Sequence, residues 1–315
     1  MERMFDWGAM DEPVREQAAV LALVRASPGE WHQTADVIAE AGSALRLLGG
    51  EPAIMSADRR QHASELASRV RPDSLQQAED LIGRVTSQGV RLITILDEDY
   101  PDHLKLIFNR PPFIWVRGHL ESRDLRAIAV VGTRQATQEG RAAAARLARG
   151  LATAKVTVLS GLARGIDTAA HTAALEAGAK TIAVIGTGIL APVYPPENSD
   201  LAGRIVANGG ALVSQFWPDA PPRKISFPRR NVVMSGMAAG TVVVEAGKTS
   251  GAKMQARLAL EHGKRLFLPA ALVAREEWAS AYATRPGVTV VSDLNDILDE
   301  LVKVVEIGHQ LSLSF

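Results

Sequence analysis

The chain has 315 residues, enough for two domains or for one domain with an appendage, and 47% of them are hydrophobic, which supports a large core. Its 35 basic and 35 acidic side chains cancel, so any hold on nucleic acid must come from a local patch rather than from overall charge. The absence of cysteine excludes disulfides, a thiol nucleophile and Cys-based zinc sites, and the seven histidines lack paired-ligand spacing, so neither a metal nor a cofactor is expected.

A cytoplasmic location, away from membranes, is expected. Cysteine-free composition fits a reducing compartment. The opening Met-Glu-Arg-Met-Phe-Asp has no signal-peptide pattern, and the uncharged run Val232–Val244 is too short to span a bilayer.

Residues 12–90 read as a small helical domain. Helical periodicity covers Val14–Val24, Thr34–Leu48, Ala57–Val70 and Ser74–Ser87, with Ser27-Pro28-Gly29 and Gly49-Gly50 as stops. A bridging segment, 91–126, contains strand candidates at Arg91–Leu96 and Phe113–Arg117 around the turn Asp97-Glu98-Asp99-Tyr100-Pro101. From 127 to 304 short apolar runs alternate with helical patterns. Strands are expected at 127–131, 156–159, 181–185, 211–214, 241–245, 265–268 and 288–291. Helices are expected at about 137–153, 165–177, 198–208, 228–238, 250–262 and 293–303. That alternation implies an α/β fold, extended Rossmann-like, with a mostly parallel sheet covered on both faces and ligands bound beyond the strand C-termini. Residues 305–315 read as a flexible tail.

Two strand–turn–helix units stand back to back in 130–171. The first ends in Gly132-Thr133-Arg134, the second in Ser160-Gly161 followed by Leu162-Ala163-Arg164-Gly165. Each turn puts glycines and backbone N–H groups at a helix N-terminus, where an anion binds well. Two such turns with Arg134 beside the first point to a phosphate site. Asp167 and His171, four residues apart on one helix face, read as a local pair or a link that fixes the loop.

Between Ala220 and Val244 there is no acidic residue, and four cations, Arg223, Lys224, Arg229 and Arg230, fall within eight residues around Phe227 and next to Asn231. Cations hold phosphates and an aromatic face stacks on any base, so the segment suits single-stranded nucleic acid. The alternative is a solvated basic loop with Phe227 tucked into the core. A further strand–turn–helix unit follows, with Glu245 at the strand end and Lys248-Thr249-Ser250-Gly251-Ala252-Lys253 after it. Ser250 or Thr249 suits an N-cap. Glu245 reads either as an acid that pairs with Arg229 or Arg230 or accepts loop N–H groups, or as a catalytic acid.

These motifs together resemble the DprA/Smf family of DNA-processing proteins. The resemblance runs from about 90 to 270. It rests on Tyr100-Pro101, Pro111-Pro112, Val116-Arg117-Gly118, Val131-Gly132-Thr133-Arg134, the run Ser160–Asp167 with Ala170-His171 and Ala174-Leu175, Tyr194-Pro195 with Asn198, Phe227–Asn231, and Val244-Glu245-Ala246 with Ser250-Gly251. It implies a Rossmann-like domain that binds single-stranded DNA in recombination, repair or DNA uptake and helps load a RecA-type recombinase, with a homodimer as a further implication. The function so implied is binding, without a required reaction. Carried over, Arg134 and Lys224 would hold phosphates and Phe227 would meet a base. Arg230 and Asn231 would line the pocket, and Ser250 and Gly251 would offer N–H groups. Gly132, Thr133, Ser160, Gly161, Arg229 and Lys253 complete the expected nucleic-acid site.

The chain departs from the family pattern in places. Val232 follows Asn231 where a further arginine is usual, Ser214-Gln215 stands for Ser-Glu, and Ala270–Trp278 replaces a glycine-rich stretch. The winged-helix tail of many members is not found in this sequence. The last residues, Gln310-Leu311-Ser312-Leu313-Ser314-Phe315, resemble the hexapeptide by which bacterial proteins dock on the replication sliding clamp, with Gln310, Leu311, Leu313 and Phe315 as anchors. Two other readings remain open. One is an enzyme like the nucleoside monophosphate phosphoribohydrolases, with Glu245 catalytic. The other is a nucleotide-sensing defence protein.

Overall fold

A computed structural model describes residues 11–27, 31–50, 55–120 and 126–302. The chain divides into two compact units. One holds the described residues up to Tyr100 together with Phe108–Val116; the other holds Pro101–Ile107 and the described residues from Arg117 onward. Among the described residues no helix is long and apolar enough to cross a membrane.

The first unit contains helices α1 (Glu12–Ala26), α2 (Trp31–Ala41), α3 (Ala44–Leu48), α4 (Ala57–Arg69) and α5 (Ser74–Thr86), then strand β1 (Val90–Thr94) and β2 (Phe113–Gly118) up to Val116. In α1 every residue from Ala18 to Val24 is buried, which marks it as the central helix. The helix expected over 34–48 is broken. Gly42 takes a left-handed φ of 68° and ends α2, and Ser43 caps α3 by accepting from the Arg46 N–H. The Glu16 carboxylate, carried by α1, accepts from the Ala44 N–H at 2.8 Å and so steadies the new N-terminus. A periodic pattern runs through this break because both helices bury the same kind of face.

The second unit begins with the short helix α6 (Asp102–Lys105) and continues through β3 (Ala127–Gly132), α7 (Gln138–Thr153), β4 (Thr157–Ser160), α8 (Ile166–Glu176), β5 (Thr181–Val184), α9 (Ser199–Ala207) and β6 (Ala211–Ser214). Then come α10 (Ser226–Met237), β7 (Gly240–Glu245), α11 (Gly251–Glu261), β8 (Arg265–Pro269), α12 (Ala270–Arg275), α13 (Glu277–Ala283) and β9 (Val288–Val291). A last helix runs over 294–302. Seven strands lie parallel in the order β6-β5-β4-β3-β7-β8-β9. All seven fall where the apolar runs predict them. Strands buried on both faces read as near-continuous hydrophobic sequence, so they are easy to see.

The strand order reverses between β3 and β7. From β3 the chain steps outward through β4, β5 and β6, then crosses back to β7 on the other side. In such sheets a crevice opens at that reversal, beyond the strand C-termini. The core beneath it is built from small residues: Ala144 and Ala148 of α7 and Ala170 and Ala173 of α8 pack with Ile128, Val130, Val158 and Val242. Gly132 is required there, since a Cβ on it would sit 2.3 Å from Ile166 Cγ1. Gly165, at φ 80°, likewise leaves no room for a side chain against Thr133 O. The two predicted turns therefore pack backbone against backbone.

The helices α12 and α13 lie where the sequence departs from the family and predicts no element. Trp278 of α13 is buried and donates from Nε1 to Ala246 O at 3.0 Å, supporting the loop after β7. The expected clamp-docking residues 310–315 lie outside the described residues.

Candidate nucleic-acid interface

A cavity of about 470 Å³ opens at the strand reversal. It is bordered by the turn after β3, the first turns of α10 and the loop after β7 with the start of α11. Of the predicted residues, Gly132, Thr133, Arg134, Phe227, Arg230, Asn231, Ser250 and Gly251 line it. Ser160, Gly161, Lys224, Arg229 and Lys253 do not line it.

The rim is aromatic and cationic. Arg134 is exposed, with its guanidinium carbon 5.0 Å from the centroid of the Phe227 ring. Tyr194 stands 5.6 Å from Phe227, ring to ring, tilted by 46°. Phe227 is half-buried, and Gly186 makes its seat, since a Cβ there would lie 2.8 Å from the ring. The alternative of Phe227 tucked into the core is thereby set aside. Lys224 and Arg229 are exposed outside the cavity.

Much of the basic segment is helical, as the periodicity over 228–238 predicts, and not the loop of the alternative reading. Helix α10 begins at Ser226, so Phe227, Arg229, Arg230 and Asn231 belong to its first turns. Successive helical residues are rotated by about 100°. Arg229 therefore faces solvent while Arg230, only 6% exposed, turns inward. Its Nη1 donates to Val184 O at 3.2 Å. A Cβ on Gly161 would sit 1.2 Å from that nitrogen, so Gly161 is needed for the guanidinium to lie there, not as an anion-binding glycine. Ser160 is likewise structural: fully buried, its hydroxyl donates to Val130 O at 2.6 Å.

Asp167 faces Arg230 from the start of α8. Its Oδ2 accepts from Gly161 N at 3.0 Å and Ala163 N at 3.3 Å. Between those two amides, Leu162 holds a left-handed φ of 58°, and Asn198 donates to its carbonyl at 2.8 Å. A non-glycine residue there is costly and persists because its neighbours fix it. Burial raises the Asp167 carboxyl pKa against the pull of Arg230 and the two amides. Burial also lowers the Arg230 pKa, opposed by Asp167 and aided by Arg134. Asp167 is thus the link that fixes the loop.

The expected pairing of Asp167 with His171 does not form. The fully buried His171 meets Thr181 Oγ1 at 2.8 Å through Nδ1. Burial, with a smaller contribution from Arg230, takes its pKa down to about 3.

Two further expectations need correction. The Ser250 N–H donates to Gly247 O at 3.0 Å, and its hydroxyl caps α11 by accepting from Ala252 N at 3.2 Å. It is therefore engaged rather than offered to a phosphate. Glu245 pairs with neither Arg229 nor Arg230, and of the readings the sequence offers it takes the one in which it accepts a loop N–H. Its Oε2 accepts from the N–H and hydroxyl of Thr137, both at 3.1 Å, at the N-terminus of α7. The carboxylate lies outside the cavity lining, and Gly140 leaves the space it occupies.

With the geometry in place, residues 91–302 match the family model described as DNA recombination-mediator protein A. The chain belongs to this family. The Smf protein of Escherichia coli (strain K12) is 38% identical over 211 residues, covering 67% of this chain and 56% of that protein. The chain therefore spans little more than half of that relative. DNA processing protein DprA of Streptococcus pneumoniae (strain ATCC BAA-255 / R6) is 36% identical over 208 residues, 66% of this chain and 73% of its own length. The X-ray structure of DNA processing protein A from Streptococcus pneumoniae matches with a TM-score of 0.66 at 26% identity, covering 90% of this chain and 97% of that one. DNA processing protein A from Helicobacter pylori, whose structure concerns its single-stranded DNA binding mode, shares the fold at a TM-score of 0.59 and 24% identity, covering 68% and 96% of the two chains.

One departure from the family pattern acquires a reason. Gln215 donates from Nε2 to Arg229 O at 2.6 Å and so ties down the first turn of α10. An ionised glutamate has no proton to give there. Among the lining residues that sequence reasoning left out of the site are Asp167, Met234, Met254 and Gln255. Apart from Asp167, they carry no motif; only their helical register relative to Asn231 and Gly251 could have placed them.

Proposed function

We propose that this chain is a single-stranded DNA-binding protein of the DprA type, acting in recombination, repair or DNA uptake. The observation that carries the reading is the rim: an exposed guanidinium and a half-buried phenyl ring together at the edge of a nucleotide-sized cavity, with a tyrosine ring close to the phenyl. Arg134 holds a phosphate and Phe227 stacks on a base. Lys224 and Arg229, outside the cavity, attract the flanking backbone.

The family membership and the printed names of the relatives support the same function. Recombinase loading, a homodimer and clamp docking through residues 310–315 rest on resemblance and extend this reading. The phosphoribohydrolase reading needs Glu245 at the nucleotide, and its engagement with Thr137 speaks against it.

The test is fluorescence anisotropy of a labelled single strand against duplex of equal length at two salt concentrations. The expected result is salt-sensitive, strand-selective binding. Phe227→Ala should cost about 1–3 kcal/mol of binding, the worth of one stacked base. Equal affinity for duplex, or no effect of Phe227→Ala, would overturn the proposal.

A further inference from the structure

The buried face of α11 consists of Ala252, Gln255, Ala256, Leu258 and Ala259. Gln255 is its one polar member, is 1% exposed, and lines the same cavity as Asn231 and Met234. Neither its Nε2 nor its Oε1 has a hydrogen-bond partner. A buried primary amide with both ends unsatisfied is costly to the fold, and an apolar side chain would serve the packing better. Its place in the wall of a cavity suggests that a ligand supplies the partners.

The chemistry of the amide selects the ligand group. It offers a donor and an acceptor side by side. A phosphate carries only acceptors and would leave Oε1 unpaired. Within a DNA strand the deoxyribose has no free hydroxyl. The base alone carries a donor and an acceptor on adjacent atoms. We propose that Gln255 pairs with the Watson–Crick edge of a base that leaves the stack and enters this cavity. This inference rests on the single-stranded DNA reading and deepens it.

Two properties follow. Every base places a donor next to an acceptor on that edge, and a carboxamide can turn end for end, so one side chain serves a strand of any sequence. In duplex DNA the same edge is already paired, so the contact rewards only unpaired bases. Gln255 is then a source of strand selectivity beyond that of the stacking on Phe227. Met234 and Met254, flexible side chains in the same lining, let the cavity fit bases of different size.

The experiment compares an ordinary single strand with an abasic strand of equal length and charge, using the native protein and Gln255→Leu. The native protein should bind the abasic strand more weakly. Gln255→Leu should bind the ordinary strand about tenfold more weakly, the worth of one bidentate base contact. It should bind the abasic strand and duplex as the native protein does, with a melting temperature unchanged or raised. Equal native affinity for both strands would overturn the proposal without any variant having to fold. So would a native-like affinity of Gln255→Leu for the ordinary strand, or a lowered melting temperature, which would assign the amide a structural role. If the native protein binds no single strand, the functional reading and this inference fail together. If base removal and Phe227→Ala both weaken binding while Gln255→Leu does not, only this inference falls.

Discussion

Arg134 and Arg230 line the same cavity, yet they are placed under opposite conditions. Arg134 is exposed on the rim, against the face of Phe227, where water and salt screen its charge. Arg230 lies on the floor, 6% exposed, facing the buried Asp167, with Gly161 stripped of a side chain to admit it. A charge in water is free to meet a ligand at little cost to the fold. A charge out of water must be paired, and removing its partner leaves the other uncompensated. The rim should therefore govern affinity and the floor stability.

Breaking the floor gives the largest expected effect. Arg230→Ala empties a buried side-chain site, removes the bond to Val184 O and takes away the positive charge that acts on Asp167, and should cost about 2–5 kcal/mol of stability, measured as a shift in denaturation midpoint. Combining Arg230→Met with Asp167→Asn should recover most of that loss. A single variant as stable as the native protein would show that the floor is no charge pair.

Gly161→Ala comes next. It displaces the guanidinium rather than deleting it, and overpacking of this kind costs about 1–3 kcal/mol. Melting curves should rank it between the native protein and Arg230→Ala.

Acid tests the same buried region. His171, held near a pKa of about 3 against an ordinary 6.5, stays neutral in the fold while the unfolded chain takes up a proton. Its contribution is complete above pH 6.5 and declines as pH falls towards 3, by roughly 1.4 kcal/mol per pH unit. Asp167, whose pKa is raised, works in the opposite sense, because the fold takes up its proton before the unfolded chain does. The direct measurement is an NMR titration, in which the His171 imidazole should remain neutral at pH 5. A normal titration there would mean that the ring is solvated.

On the rim, Arg134→Ala should leave stability within about 0.5 kcal/mol of native. It should weaken binding to a single strand and lower the salt slope by about one. Lys224→Ala, outside the cavity, should have the smallest effect, a slower association at low salt with the dissociation rate unchanged. If Lys224→Ala raised the dissociation rate as much as Arg134→Ala, the boundary between rim and surroundings would be wrong.

Much of the sheet was legible in the sequence because each parallel strand is a short apolar run closed by a turn. The site was legible where a motif pins a backbone, as at Gly132-Thr133-Arg134. It was less legible where helical register decides, as in the pair Arg229 and Arg230: adjacent in sequence, chemically identical, and assigned to solvent and interior only by the axis of α10. The glycine at 161 reads from sequence as an anion cradle, and only the packing of Arg230 against it reveals steric need. Likewise Glu245 ends a strand in a manner that suits a catalytic acid, until Thr137, distant in the chain, claims it.

The sequence by itself determined the α/β class, the succession of the seven parallel strands, the family, and the two turns and basic segment from which the cavity is built. These follow from local periodicity, turn chemistry and the order of motifs along the chain. Only the tertiary structure decided which cation is buried, which glycine makes room for it, what Glu245 holds and that Gln255 waits unpaired in the wall. Those outcomes depend on contacts between residues far apart in the chain, where desolvation and the space left by a missing Cβ decide between alternatives that a linear pattern leaves equal.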